Sequence, residues 1–345
     1  MWLRSDNSAG VDPDILEFLC ANNDGDAQPY GDDYLSKSLD DRFSAFFGTP
    51  VRVFPVASGT AANALSLSAI AGPFDLIFCH QDAHAFMTEC GATEFFTGGA
   101  RFDPVPGSDG RIDAKAVGAS LSCIDVSRGN SYRPGALTVT QLTEAGTAYR
   151  LEAIQALGAL AKKSGLRMHM DGARLPNALA FLGLMPDQMT WRAGVDVLSF
   201  GATKNGTLSA DAVIFFDPAL AAGFKRRIKR AGHDLSKSRF LAAQLLRYIE
   251  GDLWLRNARH ANARAAELAA ILQKVRGAKL LHPVEGNILF TSLPERAVRA
   301  LEKAGIRLRS KGRTPEGDEW FRIVPSFRTD PAEVLAFGAA LGNVA

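Results

Sequence analysis

The sequence predicts an α/β protein with a mostly parallel central sheet, followed by a smaller α+β region toward the carboxyl end. Two features support this prediction. Through most of the chain, short apolar runs alternate with helical segments, which is the pattern of a parallel sheet covered by helices on both faces. From about Lys279 the pattern changes to short strands around one helix. We therefore expect an amino-terminal segment and large domain over 1–250, and a small domain over 251–345.

The elements predicted for the large domain follow one another in order. A strand, the turn Ser58-Gly59-Thr60 and an Ala- and Leu-rich helix ending near Ala71 come first. Over 151–164, apolar residues recur with the period of a helix. Strands are predicted over 51–56, 75–79, 136–143, 166–170, 195–200 and 211–216.

A long helical segment is expected to link the two domains. Residues 239–275 are rich in Ala, Leu and Arg, with an interruption near Gly251. Asp330 and Pro331 form a good N-cap and first-turn pair for a final helix. In the small domain we predict strands near 286–292, 305–309 and 320–324 and a helix over 294–304.

Bulk properties exclude several functional classes. The chain has 345 residues, of which 47% are hydrophobic and 22% charged, as in an ordinary soluble protein. A formal net charge of +2 provides no general attraction to nucleic acid or to an anionic membrane. The basic run over 225–230 lacks interleaved aromatic residues, so we interpret it as a solvated helix face and not as a nucleic-acid site.

Neither a membrane span nor a secretion signal is expected. Residues 53–74 carry no formal charge, but Pro55, Pro73 and several polar residues favour a strand, a glycine turn and a buried helix. The first residues contain no apolar signal region. The cysteines form no Cys-x-x-Cys pair, so we expect reduced thiols in a cytoplasmic protein. These cysteines are Cys20, Cys79, Cys90 and Cys123.

Two apolar runs end at residues of complementary chemistry, Asp171 and Lys204. Ligands of open α/β sheets bind at the carboxyl ends of the strands, so we expect both side chains at the same edge of the sheet. The spacing between them leaves room for a crossover helix. A lysine amine and a carboxylate at such an edge suit pyridoxal phosphate (PLP), which uses a Schiff-base lysine and an acid beside its pyridinium nitrogen. The alternatives are a surface lysine, and an aspartate that caps a helix or pairs with Arg174.

Further motifs, in order along the chain, resemble the threonine aldolase family. They are Arg-Ser-Asp at 4–6, Tyr-Gly-Asp-Asp at 30–33, Ser-Gly-Thr-Ala-Ala-Asn at 58–63 and His-Met-Asp-Gly-Ala-Arg-Leu at 169–175. The resemblance extends to about Arg322, nearly the whole chain. It implies PLP as cofactor and a large domain with the aspartate aminotransferase-like fold of PLP-dependent transferases. The implied reaction is retro-aldol cleavage of L-threonine, L-allo-threonine and related β-hydroxy-α-amino acids into glycine and an aldehyde.

The resemblance assigns cofactor-binding roles to individual residues. Lys204 is the implied Schiff-base lysine, Asp171 keeps the ring nitrogen protonated, and His84 stacks on the ring. The turn Ser58-Gly59-Thr60 lies between a strand and a helix, where hydroxyls, backbone N–H groups and the helix dipole can bind a phosphate. The alternative for this turn is a tight turn with a capping serine.

The same resemblance implies that Ser5, Arg174 and Arg322 bind the substrate carboxylate, for which arginine is suited by its bidentate geometry. A charge on an edge strand remains an equal alternative for Arg322. His80 and His84 are four residues apart and could instead bind a metal. Because His80 ends a strand and no third ligand is evident, no metal is expected.

Two segments depart from the family pattern. Where the family commonly has Met-Arg-Gln-Ala-Gly, with a basic residue that contacts the PLP phosphate of a neighbouring subunit, this chain has Leu-Ser-Lys-Ser-Arg at 235–239, and Lys237 is the best substitute. Where many members have Glu-Asn-Thr-His-Asn with a candidate catalytic base, residues 140–147 contain no histidine. Proton removal then falls to His84, Glu89 or a water. The resemblance also implies a homo-oligomer, a tetramer, with residues 30–33 near its interface.

Other functions use the same residues. The Cα bond held perpendicular to the cofactor ring decides the reaction, so a β-eliminating lyase or an aminotransferase of the same fold remains the alternative. A PLP-binding protein without catalysis is a third possibility. A dehydrogenase is disfavoured because no Gly-x-Gly-x-x-Gly follows the first strands.

Overall fold

The computed structural model describes residues 3–125, 127 and 129–342. Seven of the described strands form one mixed sheet in the order β1-β7-β6-β5-β4-β2-β3, and four form a second sheet in the order β10-β11-β9-β8. The strands of the large sheet are β1 (Arg52–Val56), β2 (Asp75–His80), β3 (Arg101–Val105), β4 (Arg133–Thr140), β5 (Arg167–Gly172), β6 (Val197–Phe200) and β7 (Asp211–Phe215). Those of the small sheet are β8 (Lys279–Leu280), β9 (Leu289–Leu293), β10 (Ser310–Arg313) and β11 (Glu319–Ile323).

Helices precede, connect and follow these strands. Those of the amino-terminal half are α1 (Pro13–Ala21), α2 (Tyr34–Phe47), α3 (Gly59–Ile70), α4 (His84–Met87), α5 (Ala92–Thr97), α6 (Ala114–Ser122) and α7 (Leu151–Lys163). Those of the carboxyl-terminal half are α8 (Leu175–Leu182), α9 (Pro186–Met189), α10 (Phe224–Arg230), α11 (Arg239–Ile249), α12 (Leu253–Leu272), α13 (Glu295–Lys303) and α14 (Pro331–Leu341).

The direction of the strands brings the functional ends together. Neighbouring strands from β3 to β6 are parallel, whereas β7 is antiparallel to both β6 and β1. Asp171 at the end of β5 pairs with Ser199 of β6, and Val56 at the end of β1 pairs with Asp211 at the start of β7. The predicted mostly parallel sheet is therefore confirmed, and these ends share one edge.

Helix α3 explains the uncharged segment 53–74. Its residues 61–68 are all buried, because the helix packs against the large sheet on one side and against α5 on the other. A helix buried all round needs apolar or small residues on every face. No helix in the described ranges has the length and apolar character needed to cross a membrane.

The aromatic core holds the end of β6 in place. The ring of Phe200 packs edge-on against Phe43 at 5.5 Å and against Tyr248 at 5.9 Å between centroids. Both partners lie on helices, α2 and α11, so these two helices support the strand end that precedes Lys204. Such edge-to-face pairs add to the burial of apolar area.

Helix α12 joins the two sheets, as the composition of 239–275 predicts. Its first residues, Leu253 and Trp254, belong to the core of the large sheet, whereas Leu268 and Leu272 belong to the core of the small one. The amino-terminal segment also reaches the small sheet, because Leu3 lies in that core and its carbonyl accepts a hydrogen bond from the Val324 N–H at 2.8 Å. The domain boundary near 250 stays a prediction.

One predicted strand is wrong. Residues 305–309 are not a strand, and β10 begins only at Ser310. Gly305 has φ +76°, and the Ile306 N–H donates to the Leu301 carbonyl at 2.8 Å, which closes helix α13. Gly305 and Ile306 therefore form the carboxyl-terminal cap of α13, and the extended strand begins only after this cap.

The basic run lies on helix α10 as predicted. Its charged residues are exposed, whereas Phe224 and Ile228 on the opposite face are buried. The exposed Lys229 amine pairs with Asp234 at 3.0 Å. The four cysteines are free thiols, and Cys79 is buried.

Candidate active site

Most of the side chains predicted to be functional gather at the carboxyl edge of the large sheet, around two adjoining cavities. The inner cavity has a volume of about 260 Å³ and the outer one about 340 Å³. Both are lined by Asn7, His84, Asp171, Ala173 and Lys204. The shared lining shows that the two cavities lie side by side, on opposite sides of the same residues.

Lys204 lies on a short 3₁₀ turn after β6. Asn205 fixes the position of this turn, because its side-chain amide donates to the Tyr248 hydroxyl at 2.7 Å and to the Trp254 carbonyl at 2.8 Å. Burial, and then the charge of Arg174, lower the pKa of the Lys204 amine. A lowered pKa favours the neutral amine, which is the nucleophilic form.

Asp171 is held by two donors. Its Oδ1 accepts from the Ala173 N–H at 3.0 Å, and its Oδ2 accepts from the Asn63 amide at 2.8 Å. The same amide nitrogen also donates to Oε1 of Glu89 at 2.9 Å. Asn63 therefore links two buried carboxylates. The motif at 58–63 contains Asn63, but no role was predicted for this residue. The sequence feature that could have indicated one is a side-chain amide in a helix whose other residues are apolar or small.

His84 begins α4 and its ring contacts a carboxylate. Its Nδ1 lies 2.7 Å from Oε1 of Glu89. This hydrogen bond raises the pKa of His84 although burial opposes it, and burial raises the pKa of Glu89. His80 has different partners, the Gly107 carbonyl and the Asp82 N–H. In the part of the chain that the structure describes, no His, Cys, Asp and Glu cluster suits a metal ion.

The turn Ser58-Gly59-Thr60 lines the inner cavity at the start of α3. Ser58 is the N-cap, and its Oγ accepts from the Ala61 N–H at 3.3 Å. The amino end of this helix carries partial positive charge and backbone N–H groups that can bind an anion. This end of the inner cavity is therefore suited to an anion, whereas Asp171 and Lys204 line the same cavity with a carboxylate and an amine.

The two arginines of the outer cavity differ in their partners. Arg174 donates through Nε and Nη2 to Asp6 at 2.7 and 2.8 Å, and Asn287 also donates to Asp6. Burial opposes ionisation of Asp6, but Arg174 holds its pKa below the usual value. Of the Arg174 nitrogens, Nη1 alone has no acceptor within the described residues. Ser5 also lines the outer cavity.

Arg322 has no acceptor among the residues described. Burial, and then the charge of Arg174, lower its pKa to about 10. Strand β11 pairs with β10 on one side and β9 on the other, so the alternative of an edge-strand charge is wrong. A partly buried guanidinium without a counter-ion is costly, which favours binding of an anion at this point.

Two predicted segments lie outside the cavities. Lys237 is exposed and lines neither cavity. The Tyr30 N–H donates to the Ser236 carbonyl at 3.1 Å, and the Tyr30 ring lies 4.5 Å from the Lys229 amine. Residues 30–33 and the segment around Lys237 are therefore neighbours on the surface of the molecule.

Glu144 is a functional candidate that was not predicted from the sequence. It lines the outer cavity, and its Oε1 accepts from the His84 N–H at 2.7 Å and from the Thr140 hydroxyl at 2.9 Å. Burial, and then the charge of Asp171, raise the pKa of Glu144 to about 7. The sequence feature that could have indicated Glu144 is its position shortly after a strand whose carboxyl end faces the site.

The residues present fit PLP. Four buried polar atoms around the cavities have no hydrogen-bond partner within the described residues: Asn63 Oδ1, Glu89 Oε2, Thr203 Oγ1 and Glu144 Oε2. Such atoms are rare in folded proteins, so their concentration here indicates a site that a polar ligand completes. An amine, a carboxylate, an aromatic ring and a helix amino end match the aldehyde, pyridine nitrogen, ring face and phosphate of PLP.

Known proteins share this sequence and fold. The profile of the family described as "Beta-eliminating lyase" matches residues 3–295. A low specificity L-threonine aldolase from Pseudomonas aeruginosa is 41% identical over 305 residues, which cover 88% of this chain and 87% of the relative. The chain belongs to the threonine aldolase family. This family is PLP-dependent.

Solved structures agree with membership of the threonine aldolase family. A threonine aldolase from Leishmania major superimposes with a TM-score of 0.93 at 25% identity and covers 99% of both chains. An aspartate aminotransferase from Rhodobacter sphaeroides, 19% identical, superimposes with a TM-score of 0.67 over 98% of this chain and 90% of that chain. The similarity to the aspartate aminotransferase shows the fold alone. The predicted aspartate aminotransferase-like fold is confirmed.

Proposed function

We propose that this protein is a PLP-dependent aldolase that cleaves L-threonine, L-allo-threonine and related β-hydroxy-α-amino acids into glycine and an aldehyde. The observation that carries the proposal is that two cavities of different chemistry adjoin and share Asp171 and Lys204 in their lining. The inner one contains the groups that fit PLP, and the outer one is lined by Lys204 and by Arg322, which has no acceptor within the described residues. An amino acid bound in the outer cavity would present its amine to the inner one.

The cofactor-binding residues would act as follows. Lys204 would hold the cofactor covalently, and its lowered pKa leaves the amine ready to react. Asp171, oriented by Asn63, would face the ring nitrogen, and His84 would cover the ring. Ser58, Gly59 and Thr60 would bind the phosphate through hydroxyl and N–H groups. Bound in this way, PLP supplies an electron sink for the bond that breaks at Cα.

The substrate carboxylate would bind to Arg322, to Ser5 and to Nη1 of Arg174, the Arg174 nitrogen with no acceptor within the described residues. Because Asp6 holds Arg174 through two hydrogen bonds, its guanidinium is already oriented before the substrate arrives. A carboxylate held by more than one group fixes the orientation of the bonds at Cα, and this orientation decides which of them breaks. Cleavage of the Cα–Cβ bond requires this bond to lie out of the plane of the ring.

We also infer a homotetramer and a cytoplasmic location. Tyr34 is 84% exposed and Tyr30 43%, so two aromatic side chains on either side of residues 31–33 are available for contact with a neighbouring subunit. A neighbouring subunit at this surface would bring Lys237 of one chain close to the phosphate site of another. The free cysteines suit a reducing compartment. Light scattering tests the assembly, and a fully active monomer would contradict it.

The decisive experiment combines a visible spectrum with product analysis. The purified protein is expected to carry the absorption band of bound PLP, and Lys204→Ala to lose or shift it. With L-threonine, acetaldehyde and glycine should form in equal amounts. Formation of a keto acid together with ammonia would favour the β-eliminating alternative, and formation of a keto acid without ammonia would favour the aminotransferase alternative. A protein that stays colourless when PLP is supplied would contradict the proposal as a whole.

A further inference from the structure

The loop between β4 and α7 places Glu144 rigidly at the outer cavity. The Thr143 N–H donates to the Thr147 carbonyl at 2.9 Å, and both threonine hydroxyls contact the Asp109 carbonyl. Gly146 has φ +78°, and a Cβ there would lie 2.6 Å from the Ile288 carbonyl oxygen. The loop is therefore tied to two other segments, and Glu144 is held in place before any ligand binds.

The carboxylate of Glu144 has one oxygen engaged and one free. Oε1 accepts two hydrogen bonds, from the His84 N–H and the Thr140 hydroxyl. Oε2 is buried and receives no hydrogen bond within the described residues. A buried carboxylate oxygen without a donor needs either a proton or a hydrogen bond from a ligand.

Glu144 lies on the substrate side of the site. It lines the outer cavity together with Ser5, Arg174 and Arg322, none of which lines the inner one. Glu89 has the opposite position, since it lines only the inner cavity. Of these two acids, Glu144 is the one that can reach the β-substituent of an amino acid bound by the arginines.

We propose that Glu144 accepts the proton of the substrate's β-hydroxyl, an inference that rests on the proposed aldolase function. The proton passes from the hydroxyl to Oε2, and the O–H electron pair becomes the second bond of the aldehyde carbonyl. The Cα–Cβ bond breaks, and its electron pair is left at Cα. Cα then takes up one proton, so glycine and acetaldehyde together contain all the atoms of threonine.

The charge states of the neighbouring groups favour Glu144 over His84 in this role. The hydrogen bond with Glu89 raises the pKa of His84, so at a given pH less of the imidazole is in the neutral form that can accept a proton. The pKa of Glu144, about 7, is suited to a group that takes and returns a proton near neutral pH. Its charged and titratable surroundings are Asp171, His84, Lys204, Arg174, Arg322 and Lys311 in the cavity, and Cys79 and Tyr149 behind it.

Cys79 and Tyr149 do not compete for this role. Burial raises the pKa of both side chains well above neutrality, so both stay protonated.

Asp171 is the neighbour whose negative charge, in addition to burial, raises the pKa of Glu144. Glu144 must lose its proton to act, so the rate of cleavage should rise with pH through about 7.

The test uses the PLP-loaded enzyme and the variant Glu144→Gln, which keeps the size of the side chain. We expect kcat for L-threonine to fall about 10²- to 10⁴-fold, the usual contribution of one positioned proton-transfer group. The rising limb of the pH profile should disappear. The absorption band of the cofactor, the Kd for glycine and KM should change little. Glu152→Gln, an exposed glutamate on α7, is the matched control and should behave as wild type.

A second variant tests the same inference without touching the carboxylate. Thr140→Val removes one hydrogen bond to Oε1, which should raise the pKa of Glu144 and move the rising limb to higher pH. A limb that stays in place, or Glu144→Gln with near-normal kcat, would overturn the role of Glu144. If the wild type itself yields no aldehyde from L-threonine, the proposed function fails instead. The two failures are thus distinguishable.

Discussion

The amide of Asn63 should be important for stability because it serves two buried carboxylates. Its Nδ2 donates to Asp171 at 2.8 Å and to Glu89 at 2.9 Å, and both acids are 4% exposed. In Asn63→Leu, a side chain of similar size replaces the donor with apolar groups. Each hydrogen bond to a charged group contributes about 1.5–3 kcal/mol, and an acceptor left unpaired is costly.

Two effects reduce the loss in this variant. The leucine adds buried apolar area, and the variant removes Oδ1 of Asn63, which has no partner within the described residues. We therefore expect the free energy of unfolding to fall by about 2–3 kcal/mol relative to wild type. The loss should be larger at mildly alkaline pH than at mildly acidic pH. Burial raises the pKa of Glu89, so this acid becomes neutral early as the pH falls and then needs the donor less.

Urea-induced unfolding at matched protein concentration measures this difference. Asn22→Leu is the control, because the Asn22 amide donates to one neutral acceptor, the Phe18 carbonyl. That variant should lose about 1 kcal/mol or less. If Asn63→Leu were no less stable than Asn22→Leu, or if its loss did not depend on pH, the linkage of the two carboxylates through Asn63 would be refuted.

Two further variants test the arginines of the outer cavity. Arg322→Gln should raise KM for L-threonine about 10- to 100-fold, because a charge-assisted hydrogen bond is lost; an unchanged KM in steady-state kinetics would exclude Arg322 from carboxylate binding. Asp6→Asn should lower the free energy of unfolding by about 3 kcal/mol near neutral pH, since Arg174 loses its anionic partner. Asp6 has a lowered pKa, so its contribution is present above the unfolded pKa and is lost as the pH falls through the folded one. The difference between Asp6→Asn and wild type in acid denaturation should therefore vanish at strongly acidic pH.

Local patterns were enough to predict most strands of the large sheet and to indicate which residues would form a cofactor site. Apolar runs flanked by turns mark β1, β2 and β5 through β7 because strands buried on both faces need continuous apolar residues. Asp171 and Lys204 stand at or just beyond the ends of such runs, so their common edge follows from strand direction. The strand predicted over 305–309 failed because the helix cap at Gly305 depends on packing of Ile306 against the small core.

The partners of the charged residues could not be predicted in this way. Asp6 and Arg174 are 168 residues apart, and His84 and Glu144 are 60 apart. Nothing in either local segment indicates the other, because these contacts form only when the amino-terminal segment and the loop after β4 fold back onto the sheet edge. The same holds for Asn63, whose two acceptors come from β5 and from the segment between α4 and α5.

By itself the sequence determined most strands of the large sheet, the positions of the lysine and the acid that suit PLP, and the family. These features are encoded within short segments, by the periods of 2 and 3.6 residues and by turns rich in glycine and serine. Tertiary structure alone decided that Arg174 is paired with Asp6, that Arg322 has no counter-ion in the part of the chain that the structure describes, and that Glu144 faces the outer cavity with a raised pKa. Charge state and pairing depend on burial and on neighbours distant in sequence, and only the folded chain brings these together.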